Sequence, residues 1–328
     1  MPKEITHIAL AEALHRHLPP DSLFHGPVKT HLHLFLYGSV APDVPYFYVW
    51  GPDTKAIQKL TQPFHTSDAT ALVSILNFLN RFPEKDPGAL AFAAGLCCHI
   101  LSDTHFHPMV YYFAGMDDVH QGATTRHRFF ETAMDLHFRQ FLRDKRRASL
   151  GFLYRHLEMS RGRFSYLFRI LFGLRDGQHT RYLDRSIRYH QRIQTLFLSS
   201  FVYNIIRGLT NRGIIRQRRF LALCYPDKYP SRLAFFNRPV SYQDPCRGSF
   251  HTHTMEHLTQ LTVARSIRLL DIIERAMSTG GRLLDAVRNP DLPEIRPCPA
   301  DDVSDFKYWH QKDSIEEMLF RPYNEKGE

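Results

Sequence analysis

The sequence has few of the features that would stabilise a small disulfide-linked protein. Only five of its 328 residues are cysteine, two of them adjacent as Cys97 and Cys98, and no CxxC pair is present. Because neighbouring cysteines rarely reach disulfide geometry, a disulfide framework is excluded. The GxSxG sequence of many serine hydrolases is also missing. Chemistry based on a redox thiol pair or on such a serine nucleophile is therefore not expected.

Long apolar stretches are missing too. The longest, from Ala89 to Cys98, spans ten residues and ends at His99, whereas a helix needs about 20 to cross a bilayer. The first residues include Glu4 and His7, where a signal peptide requires an uninterrupted apolar core. We therefore expect neither a membrane-spanning segment nor a cleaved leader. The expected location is cytoplasmic by default, with leaderless export or action at a membrane surface left open.

The composition is that of a folded globular protein with one anomaly. Hydrophobic residues make up 43% and charged residues 23%, which permits a large buried core and excludes a disordered chain. Seventeen glycines and 20 prolines exclude a collagen-like repeat. Histidine is the anomaly. With 20 residues it is unusually frequent, and its distribution needs an explanation.

The formal net charge of +9 is concentrated in one segment. Residues 139–219 contain 19 Lys and Arg against four acidic residues, a formal charge of +15, while the remainder of the chain carries −6. Aromatic residues such as Tyr154, Tyr166 and Tyr189 are interleaved with the arginines. Arginine binds phosphate and aromatic side chains favour interfaces, so this segment predicts contact with a membrane surface or a nucleic acid. The alternative is a set of solvated helix faces whose aromatic residues point into the core.

Helical periodicity dominates the chain, and strand patterns are sparse. Asp86-Pro87 is typical of a helix start, and the helix that follows is expected to stop near Pro108. Residues 31–37 fit a short strand or the end of a helix, and residues 38–45 fit a turn-rich loop. Helices are predicted over 5–17, 67–80, 86–108, 124–143, 161–173, 181–208 and 249–278, with Gly280 and Gly281 ending the last. We predict an all-α fold with one helical domain over 1–286 and an extended, proline-rich tail over 287–328.

One predicted helix concentrates residues that bind metals. His99, Asp103 and His107 are spaced by four residues, and each such step rotates by about 40° around a helix, so all three project from one face. His127 and Glu131 repeat the four-residue spacing downstream. Pairs of this kind on neighbouring helices can converge in a bundle core to form a multinuclear metal site. Nitrogen and oxygen ligands suit zinc, with manganese or iron as alternatives. A single pair would more often be a hydrogen-bonded core histidine.

These motifs resemble those of the zinc-dependent phospholipase C family, which shares its all-helical fold with the S1/P1 nucleases. The resemblance rests on the HxxxDxxxHP and HxxxE sequences together with Thr6-His7, Asp43 and Phe64-His65. The order of these ligands along the chain is that of the family. The motifs cover about residues 5 to 135, and a weaker likeness extends to about residue 278. A single multi-helix domain of the phospholipase C and P1 nuclease type is the fold that the resemblance implies.

The resemblance implies that the chain binds two to three zinc ions. A first ion would be held by Asp43, His65, His99 and Asp103. A second would be held by His107, His127 and Glu131. A third would use His7 and the shared carboxylate of Asp103.

The resemblance also implies an activity, hydrolysis of a phosphodiester in a glycerophospholipid such as phosphatidylcholine or phosphatidylethanolamine. Metals neutralise phosphoryl oxygens and lower the pKa of a bound water, and Asp43 is the candidate general base. The expected partner is a phospholipid surface, with no stable nucleic-acid partner. Two alternatives remain: a single-strand nuclease of the same fold, and a non-catalytic helical protein that binds zinc or anionic membranes.

Overall fold

Twelve α-helices, six short 3-10 helices and one β-hairpin make up the described part of the chain. The computed structural model describes residues 3–66, 70–82, 85–115, 122–174, 178–215, 220–226, 231–279 and 283–296. The predicted all-α fold is confirmed. The α-helices are α1 Glu4–His17, α2 His25–Thr30, α3 Leu32–Gly38, α4 Thr54–Gln58, α5 Thr70–Leu79, α6 Pro87–Ala114, α7 Ala123–Arg139, α8 Leu150–Arg155, α9 Arg161–Leu171, α10 Gln178–Phe197, α11 Ser200–Asn211 and α12 Met255–Ser278. The 3-10 helices are Ala41–Phe47, Lys59–Phe64, Lys145–Ala148, Leu221–Leu223, Ser231–Asn237 and Leu283–Arg288.

Helix α6 is the central element of the core. It begins as predicted at Asp86, whose Oδ1 accepts a hydrogen bond of 2.7 Å from the Ala89 amide, with Pro87 in the first turn. It is packed by α1, α2, α3, α5, α7 and α12. Among the described residues it is the one helix long and apolar enough to cross a membrane, and 89% of its most apolar 18-residue stretch lies buried inside the fold. Burial of this extent is typical of a core helix.

Helix α6 does not stop at Pro108, as the sequence predicts, but continues to Ala114. Proline removes one backbone hydrogen bond from a helix interior, yet the turns that follow are buried against the rest of the core. The packing of these buried turns outweighs the cost of the hydrogen bond that Pro108 removes. The helix ends at Gly115, which has a φ of 77° and whose amide donates to the Tyr111 carbonyl.

Two glycines bring α3 against α6. A Cβ atom on Gly95 would lie 2.2 Å from the Phe35 carbonyl oxygen and 2.8 Å from the Gly38 Cα. A Cβ atom on Gly38 would in turn lie 2.5 Å from the Phe92 carbonyl oxygen. Only glycine permits backbones this close. The contact places the chain just after α3 beside the middle of α6.

Several predicted element boundaries are wrong. Of the two alternatives for residues 31–37, a strand or helical structure, the structure shows a helix, α3 Leu32–Gly38, and the 3-10 helix Ala41–Phe47 begins within the predicted loop over 38–45. The predicted helix over 181–208 is two helices, α10 and α11, because Ser199 is extended and its side chain caps the amide of Val202. Before α12, Val240–Gln243 and Phe250–His253 form the antiparallel hairpin β1–β2. Ser67, Asp68, Gly280 and Gly281, to which the sequence assigns helix boundaries, lie outside the described residues.

The predicted boundary between domain and tail falls inside the 3-10 helix Leu283–Arg288. The chain that follows packs on the helical body: Ile295 is buried, and the Arg296 amide donates to Thr104 Oγ1 at 3.2 Å. Residues from 297 onward lie outside the described part of the chain, and the division into domain and tail stays a prediction.

Candidate metal centre

One face of α6 carries three of the predicted ligands. His99, Asp103 and His107 are all buried. The Nε2 atom of His99 lies 3.4 Å from Asp103 Oδ2, and that of His107 lies 3.8 Å from Asp103 Oδ1. Asp103 therefore stands between two imidazoles of its own helix, one turn before it and one turn after it.

Helix α1 brings His7 to the same carboxylate. The Nε2 atom of His7 lies 3.4 Å from Asp103 Oδ1. Its ring stacks on that of His99, with centroids 4.3 Å apart and planes at 19°. Residues almost a hundred positions apart in sequence thus share one buried carboxylate.

The start of α1 is held by Asp135 of α7. Its carboxylate accepts hydrogen bonds from the amides of Ile5 and Thr6 at 3.1 and 2.8 Å, from Thr6 Oγ1 at 2.6 Å and from the Tyr225 hydroxyl at 2.6 Å. The first amides of a helix have no partner inside the helix, so this carboxylate caps α1 and fixes the position of His7. Asp135 is not among the functional residues that the sequence predicts. The signal was present, because Asp135 follows Glu131 by four residues and extends the HxxxE motif by one turn.

Asp43 and His65 come from the irregular segments that precede α5. Asp43 lies in the 3-10 helix Ala41–Phe47, and His65 directly follows the 3-10 helix Lys59–Phe64. The His65 Nε2 atom lies 3.1 Å from Asp43 Oδ1 and 3.7 Å from Asp103 Oδ2. Asp43 Oδ1 is also 3.9 Å from the Nε2 atom of His99. The two segments therefore meet the α6 ligands from one side.

Backbone carbonyls fix the orientation of two of these imidazoles. His99 Nδ1 lies 2.9 Å from the carbonyl oxygen of Ser39, and His65 Nδ1 lies 3.0 Å from that of Thr61. A carbonyl only accepts, so each Nδ1 carries the proton and donates it. The lone pair is then on Nε2, which faces the carboxylates in both residues. This arrangement is typical of histidines that bind metals.

The predicted pair on α7 lies beside the C-terminal half of α6. His127 Nε2 is 2.9 Å from Glu131 Oε1, and Glu131 is buried. The ring centroid of His127 is 6.3 Å from that of His107 and 5.2 Å from that of Tyr111. In this arrangement the Nε2 atom of His127 pairs with the Glu131 carboxylate, which lies on the same helix.

In the described part of the chain, two groups of three residues each bring their ligand atoms within 4.8 Å of one another. His99 belongs to both groups. The resemblance places His99 with Asp43 and His65 and joins His7 to Asp103 alone, whereas the structure also groups His99 with His7 and Asp103. Three predicted ligands, His107, His127 and Glu131, lie outside the two groups. The groups are His7, His99 and Asp103, and Asp43, His65 and His99.

Many polar atoms of this centre are buried without a hydrogen-bond partner. Leaving such an atom unsatisfied costs about 1–3 kcal/mol, so native structures rarely contain several together. Their convergence fits residues that bind metal ions, because a cation satisfies carboxylate oxygens and imidazole lone pairs together. The unpartnered atoms are both ring nitrogens of His7 and His107, the Nε2 atoms of His65 and His99, Asp43 Oδ1 and both oxygens of Asp103.

Burial sets the charge states of the centre. It lowers the pKa of His99 to about 4 and holds the pKa values of His7 and His107 well below their usual range. These imidazoles are neutral at pH 7, as metal ligands must be. Burial together with the charge of Asp43 raises the pKa of Asp103 well above its usual value. For Asp43 burial acts in the same direction, but His99 and His65 outweigh it and lower its pKa.

A sequence model of the zinc-dependent phospholipase C family matches residues 6–208. The chain belongs to this family. It is a zinc-dependent phosphodiester hydrolase, and its buried His and Asp groups could hold the metal on which the family depends. Comparisons with curated proteins and with solved structures found no match.

The family match covers every predicted ligand, from His7 to Glu131. It also covers helices that contribute no ligand but position the centre. In α10, His190 pairs with Glu4 of α1 at 2.8 Å and stacks on Phe47, with centroids 3.7 Å apart. Helix α10 therefore joins the segment that carries Asp43 to the helix that carries His7.

Proposed function

We propose that this family member hydrolyses the phosphodiester of glycerophospholipids, phosphatidylcholine or phosphatidylethanolamine, to diacylglycerol and the phosphorylated head group. The observation that carries the proposal is the apolar surface beside the metal centre. Tyr46, Val49 and Trp50 follow Asp43 closely in sequence and are 37, 41 and 67% exposed. The ring of Tyr46 lies 5.6 Å from that of His65. Exposed aromatic side chains beside a phosphodiesterase site favour a substrate that has acyl chains.

We propose the zinc ligands in the grouping that the resemblance implies. The unpartnered atoms of Asp43, His65, His99, Asp103 and His7 support it, since they point at one another across the interior. His107, with His127 and Glu131, would hold a further ion. When bound, zinc supplies the positive charge that neutralises phosphoryl oxygens and lowers the pKa of water. We expect two to three ions per chain.

Asp43 is the residue to which we assign proton transfer. Its lowered pKa keeps the carboxylate ionised at neutral pH, so it can accept a hydrogen bond from the attacking water and then its proton. The 3-10 helix holds it at 3.1 Å from His65 and beside the exposed aromatic residues. Asp43 thus orients the water where the head group would enter.

The direct test is release of phosphorylated head group from phosphatidylcholine and phosphatidylethanolamine in detergent micelles, beside single-stranded DNA as a second substrate. We expect release from the lipids, loss of release with a chelator, and at least a hundredfold lower kcat in Asp43→Asn, in line with about 10²–10⁴ for a general base. Asp53→Asn, an exposed aspartate near the same surface, is the matched control. Hydrolysis of DNA alone would contradict the proposal.

A further inference from the structure

One exposed face of α10 is a row of arginines. Arg181, Arg185, Arg188 and Arg192 are all exposed. At 100° per residue they fall, together with Leu196, within an arc of about 80°. The residues 178–215, which form α10 and α11, contain six arginines and a single acidic residue, Asp184. In the described part of the chain, Arg188 and Arg192 form no ion pair. We call this row the arginine face.

Helix α11 follows α10 in the chain and exposes apolar side chains. It has no buried residue, although it is rich in large hydrophobic side chains. Leu196 at the end of α10 is 54% exposed, and Phe201 and Ile205, one turn apart on α11, are 72 and 45% exposed. Ile214, just after the helix, is 65% exposed. A helix that leaves its apolar residues in water is unusual for a globular core but typical of helices that lie at a membrane interface.

The arginine face begins beside the active site. Tyr189, adjacent to Arg188, packs edge-on against Trp50 with ring centroids 6.0 Å apart. The ring of Tyr48 stacks on that of Tyr182 at 5.4 Å. Helix α10 is therefore attached to the segment that carries Asp43. Its arginines extend along the helix from the residues that contact Tyr48 and Trp50 towards α11.

We propose that the arginine face and the exposed apolar residues of α11 form a docking surface for anionic phospholipid bilayers. The proposal rests on the proposed function and extends it from the hydrolysed lipid to the surface on which the enzyme works. Arginines attract the negative lipid head groups, while Phe201 and Ile205 enter the boundary between head groups and acyl chains. A nucleic acid would use the arginines but would leave the aliphatic side chains in water, so the bilayer accounts for both features.

The test measures sedimentation of the protein with vesicles of phosphatidylcholine alone and of phosphatidylcholine mixed in equal parts with phosphatidylglycerol. The Asp43→Asn background keeps the vesicles intact during the measurement. Stronger binding to the mixed vesicles, weakened by salt, is expected. Equal binding to the two vesicle types, or binding to neither, would overturn the proposal.

Two double variants separate the contributions of charge and apolar contact. Arg188→Glu with Arg192→Glu should weaken binding to mixed vesicles about 25-fold or more, since one arginine near an anionic surface contributes about fivefold. Phe201→Ser with Ile205→Ser should weaken it roughly tenfold for each side chain. The matched controls are Arg81→Glu with Arg288→Glu, and Phe141→Ser, all exposed positions outside α10 and α11. Equal losses in variants and controls would refute the assignment of this surface.

If the surface binds a second copy of the chain or a nucleic acid instead of a bilayer, the same set of variants gives different results. If Phe201→Ser with Ile205→Ser changes the molecular mass in solution but not vesicle binding, the apolar residues contact a second copy of the chain and the proposal fails. It also fails if the arginine variant loses binding to a single-stranded oligonucleotide but keeps binding to vesicles. Head-group release from detergent micelles, which needs no docking, should be unchanged in both double variants with Asp43 intact. Failure of wild-type release would reject the proposed function and leave the vesicle result standing.

Discussion

At Asp135 a single carboxylate joins the first turn of α1 to α7. Four donors converge on it, namely two backbone amides, the Thr6 hydroxyl and the Tyr225 hydroxyl. His7, one residue beyond Thr6, reaches Asp103 only if this turn keeps its place. Asp135 thus positions a predicted metal ligand although it lies outside the predicted ligand set itself.

Replacing Asp135 with Asn should therefore weaken both the fold and the metal centre. An amide has one acceptor oxygen and a nitrogen that cannot accept, so at least one buried donor loses its partner. We expect the free energy of unfolding to fall by about 1–3 kcal/mol, measured by denaturant titration. Bound zinc should fall as well. Asp21→Asn, at an exposed position, is the control, and equal stability of the two variants would contradict this role.

At the scale of elements, the contact between α3 and α6 depends on Gly95. An added Cβ atom would meet backbone atoms, the Phe35 carbonyl and the Gly38 Cα, which cannot move like the end of a side chain. The same contact brings the Ser39 carbonyl to His99. The packing of α3 against α6 and the orientation of the predicted ligand His99 are thus coupled.

Gly95→Ala should destabilise the protein by about 1–3 kcal/mol, the usual cost of overpacking. Gly162→Ala is a sharp control, because Gly162 lies in α9 with no atom within 4 Å of an added Cβ. There the substitution should be neutral or stabilising by up to about 1 kcal/mol. The measurement is thermal unfolding of both variants. If Gly95→Ala leaves the stability unchanged, α3 and α6 separate easily and the prediction is wrong.

The same elements show what local sequence determines. Helix α6 was predictable at its start because Asp86 and Pro87 act locally, but its end was not, because burial of the turns after Pro108 outweighs proline's effect. The break between α10 and α11 was missed since apolar periodicity continues through it. Asp43 and His65 lie in 3-10 and irregular segments without periodicity. Only the family resemblance pointed to them.

On the scale of the whole molecule, buried histidines make the fold sensitive to acid. Burial lowers the pKa of His137, which is not a predicted ligand, to about 4. An unfolded histidine titrates near 6.5, so between pH 6.5 and 4 the unfolded state binds more protons than the folded state. The contribution of His137 to stability should therefore decrease as the pH falls through this range.

His137→Phe tests this pH dependence. The ring lies among Phe138, Phe141 and Phe236, and its Nδ1 atom has no hydrogen-bond partner, so phenylalanine fits the site without removing a bond at that atom. We expect a smaller loss of unfolding free energy between pH 7 and pH 5 than in the wild type. His156→Phe, at an exposed position, should retain the wild-type loss. Identical pH profiles for all three proteins would contradict the prediction.

The architecture as a whole brings predicted ligands from distant parts of the sequence to Asp103. These are His99 and His107 on its own helix, His7 on α1 and His65 from the segments before α5. The predicted pair on α7, His127 and Glu131, lies beside His107. The spacing on α6 and α7 was readable in the sequence. The sharing of His99 between two groups was not, because it depends on how α1 and the 3-10 helices pack.

The most direct test of this centre is the zinc content of the purified full-length chain, measured by mass spectrometry after dialysis against zinc-free buffer. We predict two to three zinc ions per chain in the wild type. Asp103→Ala should lose at least one ion, and the exposed control Asp21→Ala should lose none. A wild-type chain without zinc, or an Asp103→Ala chain with the wild-type content, would contradict the account.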